Sequence, residues 1–262
     1  MACLALSASC VGSGAVQSGL EFLARMQLAD GGVPAAEIPD APCWTTSLTL
    51  LAWELADDGD GHKRQRDRAA AWLMQNAGIP VDNDPPLLGH DTSLIGWSWS
   101  PATHSWVEPT AYAVMALRAA GRGGHPRVRE GLRLLLDRAI PSGGWNYGNP
   151  VVIGTELTPF PAATGVALTA LAGEERGEQI ERAIAYLGRV VPKLKTPMSL
   201  GWALIGLTTW NERPEGIDEQ VCEAIRLTMN KPANGLHDAL LLLASLDACP
   251  FARGRLAVGH AG

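Results

Sequence analysis

Apolar and charged positions along this chain recur in a repeated order. Five times an amphipathic helical pattern is followed by a loop and then by a helical pattern almost free of charge. The first member of each pair is predicted at roughly 16–27, 63–76, 126–139, 177–190 and 217–229. The second member starts near Thr45, Pro109, Pro161, Ser199 and Leu236. Pro109 and Pro161 fall in the first turn of their helices, where a missing N–H breaks no hydrogen bond. The first set carries 21 charged residues; the second carries four, Glu54, Arg118, Asp238 and Asp247. A helix with one charged stripe keeps that stripe in water, whereas a helix apolar nearly all round is enclosed by protein. Stretches such as "PTAYAVMALRAA", "PAATGVALTALA" and "SLGWALIGLTTW" are therefore predicted as inner helices, with the charged helices outside them. The expected fold is all-α: an α/α toroid, or curved solenoid, of about five helical hairpins in inner and outer layers, with no sheet required.

The spacing of the repeats locates the expected binding face. Successive inner helices start 64, 52, 38 and 37 residues apart, so a repeat of about 37 residues carries insertions in its early copies. These insertions include "QLADGGVP" (27–34), "HDTSLIGWSWSPATHSW" (90–106) and "SGGWNYGNP" (142–150). Each lies between an outer helix and the next inner helix, so all emerge at one end of the ring, where repeat proteins build binding surfaces. Residues 1–14 are expected to form a poorly ordered N-terminal segment, 15–248 the repeat domain and 249–262 a C-terminal tail. Five hairpins rather than six leave a gap in the ring, so a homodimer in which a second copy fills that gap is an expectation to test.

Composition narrows the function classes. A net charge of −6 and a pI near 5.5 argue against a nucleic-acid partner. No run approaches the roughly 18–20 apolar residues of a membrane span. The N-terminal "MACLALSASCVGSG" lacks the basic residues of a secretory signal, and "SAS" before Cys10 matches a lipoprotein site only loosely. Five cysteines, odd in number and widely spread, do not make a disulfide framework and fit a reducing cytoplasm. The aromatic set is skewed: nine Trp against three Phe and three Tyr.

"QLADGGVP", "GWSWS" and "GGWNYGN", each followed by an apolar helix, resemble the prenyltransferase and squalene oxidase repeat over roughly residues 15–247. That repeat, related to the QW motif, is shared by squalene–hopene cyclases, plant-type class II terpene cyclases and the β subunits of protein prenyltransferases. The resemblance implies an α/α toroid around an apolar pocket for an isoprenoid. It also implies that Gly-Gly-Trp loops staple neighbouring hairpins, the role expected for Trp97 and Trp145. Trp99, Trp106 and Tyr147, offset from the glycines, are the expected cavity wall.

Class II cyclases protonate an alkene with the middle Asp of a D-x-D-D-T-A motif at the mouth of an inner helix. The nearest text here is "WVEPTA" (106–111): Thr110 and Ala111 match its end and Glu108 stands at the donor's place, while Trp106 and Pro109 replace the flanking aspartates. Enclosed by aromatics, Glu108 would stay neutral near pH 7 and act as a catalytic acid, with His104 as its hydrogen-bond partner. Its position equally suits a helix cap, accepting backbone N–H bonds and complementing the helix dipole, and helix-terminus preference favours the cap.

The prenyltransferase alternative needs zinc held by a D-x-C motif and a later His. His237, followed by Asp238, suits only the last ligand, the D-x-C is missing, and neither metal nor cofactor is expected. His237 and Asp238 remain candidate ligand contacts, as do Asp91 and Glu156 in the insertions, where each could orient a polar group. "DDGDG" (57–61) and "DNDPP" (82–86) read as solvated links and turns. The sequence thus points to two functions. One is acid-promoted cyclisation, or a prenyl-group reaction, on an isoprenoid or lipid held in a Trp-lined pocket. The other is non-catalytic binding of a lipid or protein by the repeat domain. The expected location is the cytoplasm, reaching to the membrane periphery.

Overall fold

A computed structural model describes residues 1–36, 43–57, 59, 61–83, 87–249 and 251. The chain is all-α, and the ten repeat helices fall where the charge pattern predicts them. The outer helices are α2 (Ser13–Met26), α4 (Lys63–Gln75), α6 (Pro126–Asp137), α8 (Glu178–Val190) and α10 (Asp218–Met229). The inner helices are α3 (Thr45–Ala56), α5 (Val107–Ala119), α7 (Pro161–Ala170), α9 (Pro197–Thr209) and α11 (Gly235–Ala244). Burial follows composition. Every residue of α5 from Val107 to Leu117 is buried, whereas α8 buries only the stripe Ile180, Ala183, Ile184 and Leu187.

The N-terminal segment departs from expectation. Residues 1–14 are not a disordered leader to the repeats: Ala2–Ala8 form a helix, α1, with Leu4 and Ala5 buried. This helix packs on α3 and α11, so the inner contacts run in a closed order, α1–α3–α5–α7–α9–α11 and back to α1. The chain's own first helix thus bridges the first and last inner helices. Residue 250 and residues 252–262 of the expected tail lie outside the described residues, as do 58 and 60 of "DDGDG" and 84–86 of "DNDPP".

The repeat reappears in hydrogen bonds. At three equivalent places the threonine in the first turn of an inner helix accepts the backbone N–H of the loop residue that follows a glycine. The pairs are Thr46 with Val33 at 2.9 Å, Thr110 with Trp97 at 3.0 Å and Thr164 with Trp145 at 2.9 Å. Each hydroxyl also approaches the carbonyl oxygen of the same loop residue. One side chain thus satisfies both backbone groups of a buried loop residue. Each loop then reaches the next outer helix: Arg68 donates to the Leu28 carbonyl and Arg182 to the Pro141 carbonyl. Gly31 and Gly143 take positive φ directly above the carbonyls of Arg68 and Arg182, where a Cβ would collide. The closest helix pair is α7 with α9, where Gly165 faces the Trp202 carbonyl and Gly206 faces Gly165.

A small hairpin, β1 (Val151–Val152) with β2 (Thr155–Glu156), was not expected. Its turn, Ile153–Gly154, has both residues at positive φ, and residues 87–89 bond along one edge. No helix among the described residues is long and apolar enough to cross a membrane. All five cysteines are free.

Candidate functional site

The first turns of the inner helices converge on a chamber of about 730 Å³. Three helices present it with residues four apart, the spacing that puts two side chains on one helix face: Trp44 and Leu48, Glu108 and Tyr112, Met198 and Trp202. The insertions close the sides with Trp99, Trp106 and Tyr147, and α7 adds Pro161 to Ala163 next to Phe160. The rings are in mutual contact. Trp44 meets Trp99 edge-on at 5.1 Å between centroids, and Tyr112 lies 5.8 Å from Trp202. Tyr147 and Phe160 pair at 4.9 Å where the chamber is open to solvent.

Among the described residues, Glu108 is the sole carboxylate on this lining. It is 8% exposed, and no hydrogen bond to its carboxyl group is formed by any described residue. The cap reading fails for a local reason: the amides it would serve are engaged or missing. The Val107 N–H donates to the Tyr147 carbonyl at 2.9 Å, Pro109 has no N–H, and the Thr110 N–H donates to the Trp106 carbonyl at 3.2 Å. Burial pushes the Glu108 carboxyl from 4.5 up to about 7, with no cation near enough to offset it. Burial also raises the Tyr112 phenol, and the neighbouring Glu108 charge adds to that rise. The site is thus an apolar aromatic chamber with one carboxyl group poised between its acid and its anion at neutral pH.

No model of a known protein family matches this chain, and no curated protein does.

The remaining candidate residues separate into those at the chamber and those away from it. Trp99, Trp106 and Tyr147 lie on its wall with Glu108. Trp97 and Trp145 are fully packed staples: their indole N–H groups donate to the carbonyls of Leu73 (2.9 Å) and Leu135 (2.6 Å). His104 is not the partner of Glu108. It is exposed and meets the Trp106 ring at a tilt, 4.4 Å between centroids, on the lining of a different cavity. Trp106 is extended, at φ −126° and ψ 157°, so it carries the chain away from His104 before α5 begins. Asp91 is exposed and accepts from the backbone and hydroxyl of Ser93. Glu156 sits on β2 and accepts from the Ser142 N–H at 3.3 Å. His237 and Asp238 lie in the first turn of α11, which is capped by Asn234, and the neighbouring Leu236 is the residue that reaches the chamber. Among the described residues no group of three or more His, Cys, Asp or Glu could hold a metal ion.

Trp44, Tyr112, Phe160 and Trp202 line the chamber without having been singled out in the sequence. The signal was present: each lies within the first six residues of an inner helix or just ahead of it.

Proposed function

We propose that the chamber binds an isoprenoid, or a lipid of similar shape, and that Glu108 in its neutral form donates a proton to promote cyclisation or isomerisation. The observation that carries this reading is the unpartnered, buried carboxyl group of Glu108 facing an aromatic chamber. Three features support it. The volume lies within the roughly 300–1,000 Å³ of small-molecule sites. A group titrating near 7 supplies both acid and conjugate base at neutral pH. Indole and phenol faces stabilise a developing carbocation by up to about 2 kcal/mol each when water is excluded.

A carboxyl group raised to about 7 is also a weak acid. It serves a substrate oxygen, such as that of an allylic alcohol, better than an isolated alkene. Trp106 and Pro109 stand where aspartates would strengthen the donor. That observation favours a second reading, in which Glu108 only hydrogen-bonds a ligand oxygen and the domain binds without turnover. Either ligand partitions into bilayers, which makes the membrane periphery the expected place of work.

The test is incubation with squalene, geranylgeraniol and geranylgeranyl diphosphate, with products followed by mass spectrometry and binding by tryptophan fluorescence. Products from wild type but not from Glu108→Gln support the acid reading. Binding without products in both proteins supports the second. Turnover retained in Glu108→Gln removes Glu108 as the donor, and neither binding nor products removes both readings.

A further inference from the structure

A second cavity, of about 210 Å³, shares no lining residue with the aromatic chamber. Trp106 and Gly148 stand between the two: the Trp106 ring of the chamber meets His104 of the second cavity, and a Cβ on Gly148 would lie 3.5 Å from Arg138 Nη1 and 3.6 Å from that indole. Its polar lining is His90, Thr92, His104, Ser105, Arg138 and Asn149.

Two of these residues carry buried nitrogens that lack a hydrogen-bond partner, Arg138 Nε and His90 Nδ1. The Arg138 side chain is 7% exposed. Its Nη1 donates to the Gly148 carbonyl at 2.7 Å, which fixes the guanidinium, while Nε faces Asp137 Oδ2 at 3.7 Å, beyond hydrogen-bond distance. Leaving a buried polar group unpaired costs about 1–3 kcal/mol, more when it is charged. Two such groups on one lining make the cavity favourable for a polar ligand that accepts hydrogen bonds. Donors predominate around that space. Ser105 Oγ already accepts the Gly96 N–H at 2.8 Å, so its own proton is free to point outward. Thr92 and Asn149 each bring a further donor. Burial, and next the Arg138 charge, hold the His90 imidazole down near 4, with Asp91 acting the other way. The opposing charges are Asp137, with Oδ2 3.7 Å from Arg138 Nε, and the exposed Asp91. Burial pushes the Asp137 carboxyl up, against the Asp91 N–H and the Arg138 charge, which hold it down.

We propose that this cavity binds a small tetrahedral oxyanion, either free phosphate or the phosphate of a small phosphomonoester. Arg138 supplies the charge, and the hydroxyl, amide and imidazole donors complete the shell around the oxygens. The site is independent of the reading given to Glu108, and its test does not use that residue.

Histidine-imidazole NMR on the full chain, titrated separately with inorganic phosphate and phenyl phosphate, reads the site directly. The expected result is saturable movement of the His90 and His104 resonances and a rise in the His90 pKa. His237, on α11 and outside the cavity, stays still. Arg138→Gln should weaken binding by about tenfold or more, the scale of losing one charge-assisted hydrogen bond. Should that variant lose its wild-type circular dichroism, His90→Gln and Thr92→Val carry the same expectation. Saturation by phosphate assigns a free ion, and saturation by phenyl phosphate alone assigns an ester. Unmoved His90 resonances, or linear shifts equal in wild type and variants, overturn the proposal.

Discussion

Replacing Glu108 with Gln removes a charge that the folded chain holds away from water, so the effect on stability should depend on pH. The carboxyl titrates at about 7 in the fold instead of 4.5. Below the lower value it is neutral in both folded and unfolded chains and contributes nothing. Between the two values the unfolded chain releases its proton while the folded chain keeps it, so wild type loses stability as pH rises. Above about 7 the loss is complete, on the order of 3 kcal/mol. The side chain is 8% exposed, so solvent screening removes little of this. The favourable end of the α5 dipole, worth about 0.3–1 kcal/mol, is too small to reverse the sign. Gln has the same shape and does not ionise. At a pH of about 8, Glu108→Gln should therefore be the more stable protein by roughly 3 kcal/mol, or about 6–12 °C in Tm. At a pH of about 4 the two should agree within about 1 kcal/mol. Urea unfolding at both pH values measures the difference. A gap that is the same at both, or a wild type that gains stability as pH rises through this window relative to the variant, would refute the burial argument.

Other perturbations test the packing and the division of labour among the tryptophans. Gly165→Ala puts a methyl group against the Trp202 carbonyl and should destabilise by about 1–3 kcal/mol or more in urea unfolding. Gly188→Ala on the exposed face of α8 meets nothing and should stabilise by about 0.5–1 kcal/mol. Trp97→Phe loses the bond to the Leu73 carbonyl and should lower stability by about 1–3 kcal/mol. Trp99→Phe breaks no such bond, so it should reduce isoprenoid binding in the fluorescence assay more than it reduces stability.

The helices were legible because burial sorts charge. Glu178, Glu181, Arg182 and Arg189 leave α8 one dry stripe, while α7 and α9 have no charge to place in water. The same rule cannot see α1. "ACLALSA" is too short to show a helical period, and its helix is held by packing on α3 and α11. The wall residues Trp99, Trp106 and Tyr147 were legible because they are offset from loop glycines that fix Trp97 and Trp145. Nearness in sequence misled for His104, since an extended residue between it and α5 leaves its ring on the lining of a different cavity. Position misled for Glu108 as well: helix termini usually need caps, but here Pro109 and the Tyr147 carbonyl leave almost nothing to cap. The second cavity draws on residues from 79 to 149, and no local pattern joins them.

The packing of α1 between α3 and α11 also dictates an order of assembly. Seven residues cannot hold a helix alone, since nucleation outweighs so few hydrogen bonds. One of the two surfaces that hold α1 comes from Gly235–Ala244, more than two hundred residues further along the chain. During synthesis the hairpins between them can pair locally as they emerge, while α1 keeps one flank unpaired until α11 arrives. Docking of α1 on α11 is then the helix contact of longest sequence separation, and it is the step expected to limit the folding rate. Until it happens, Met1, which lines the chamber next to Trp44 and Leu48, is not locked in place. The chamber is finished only when the first and last helices meet.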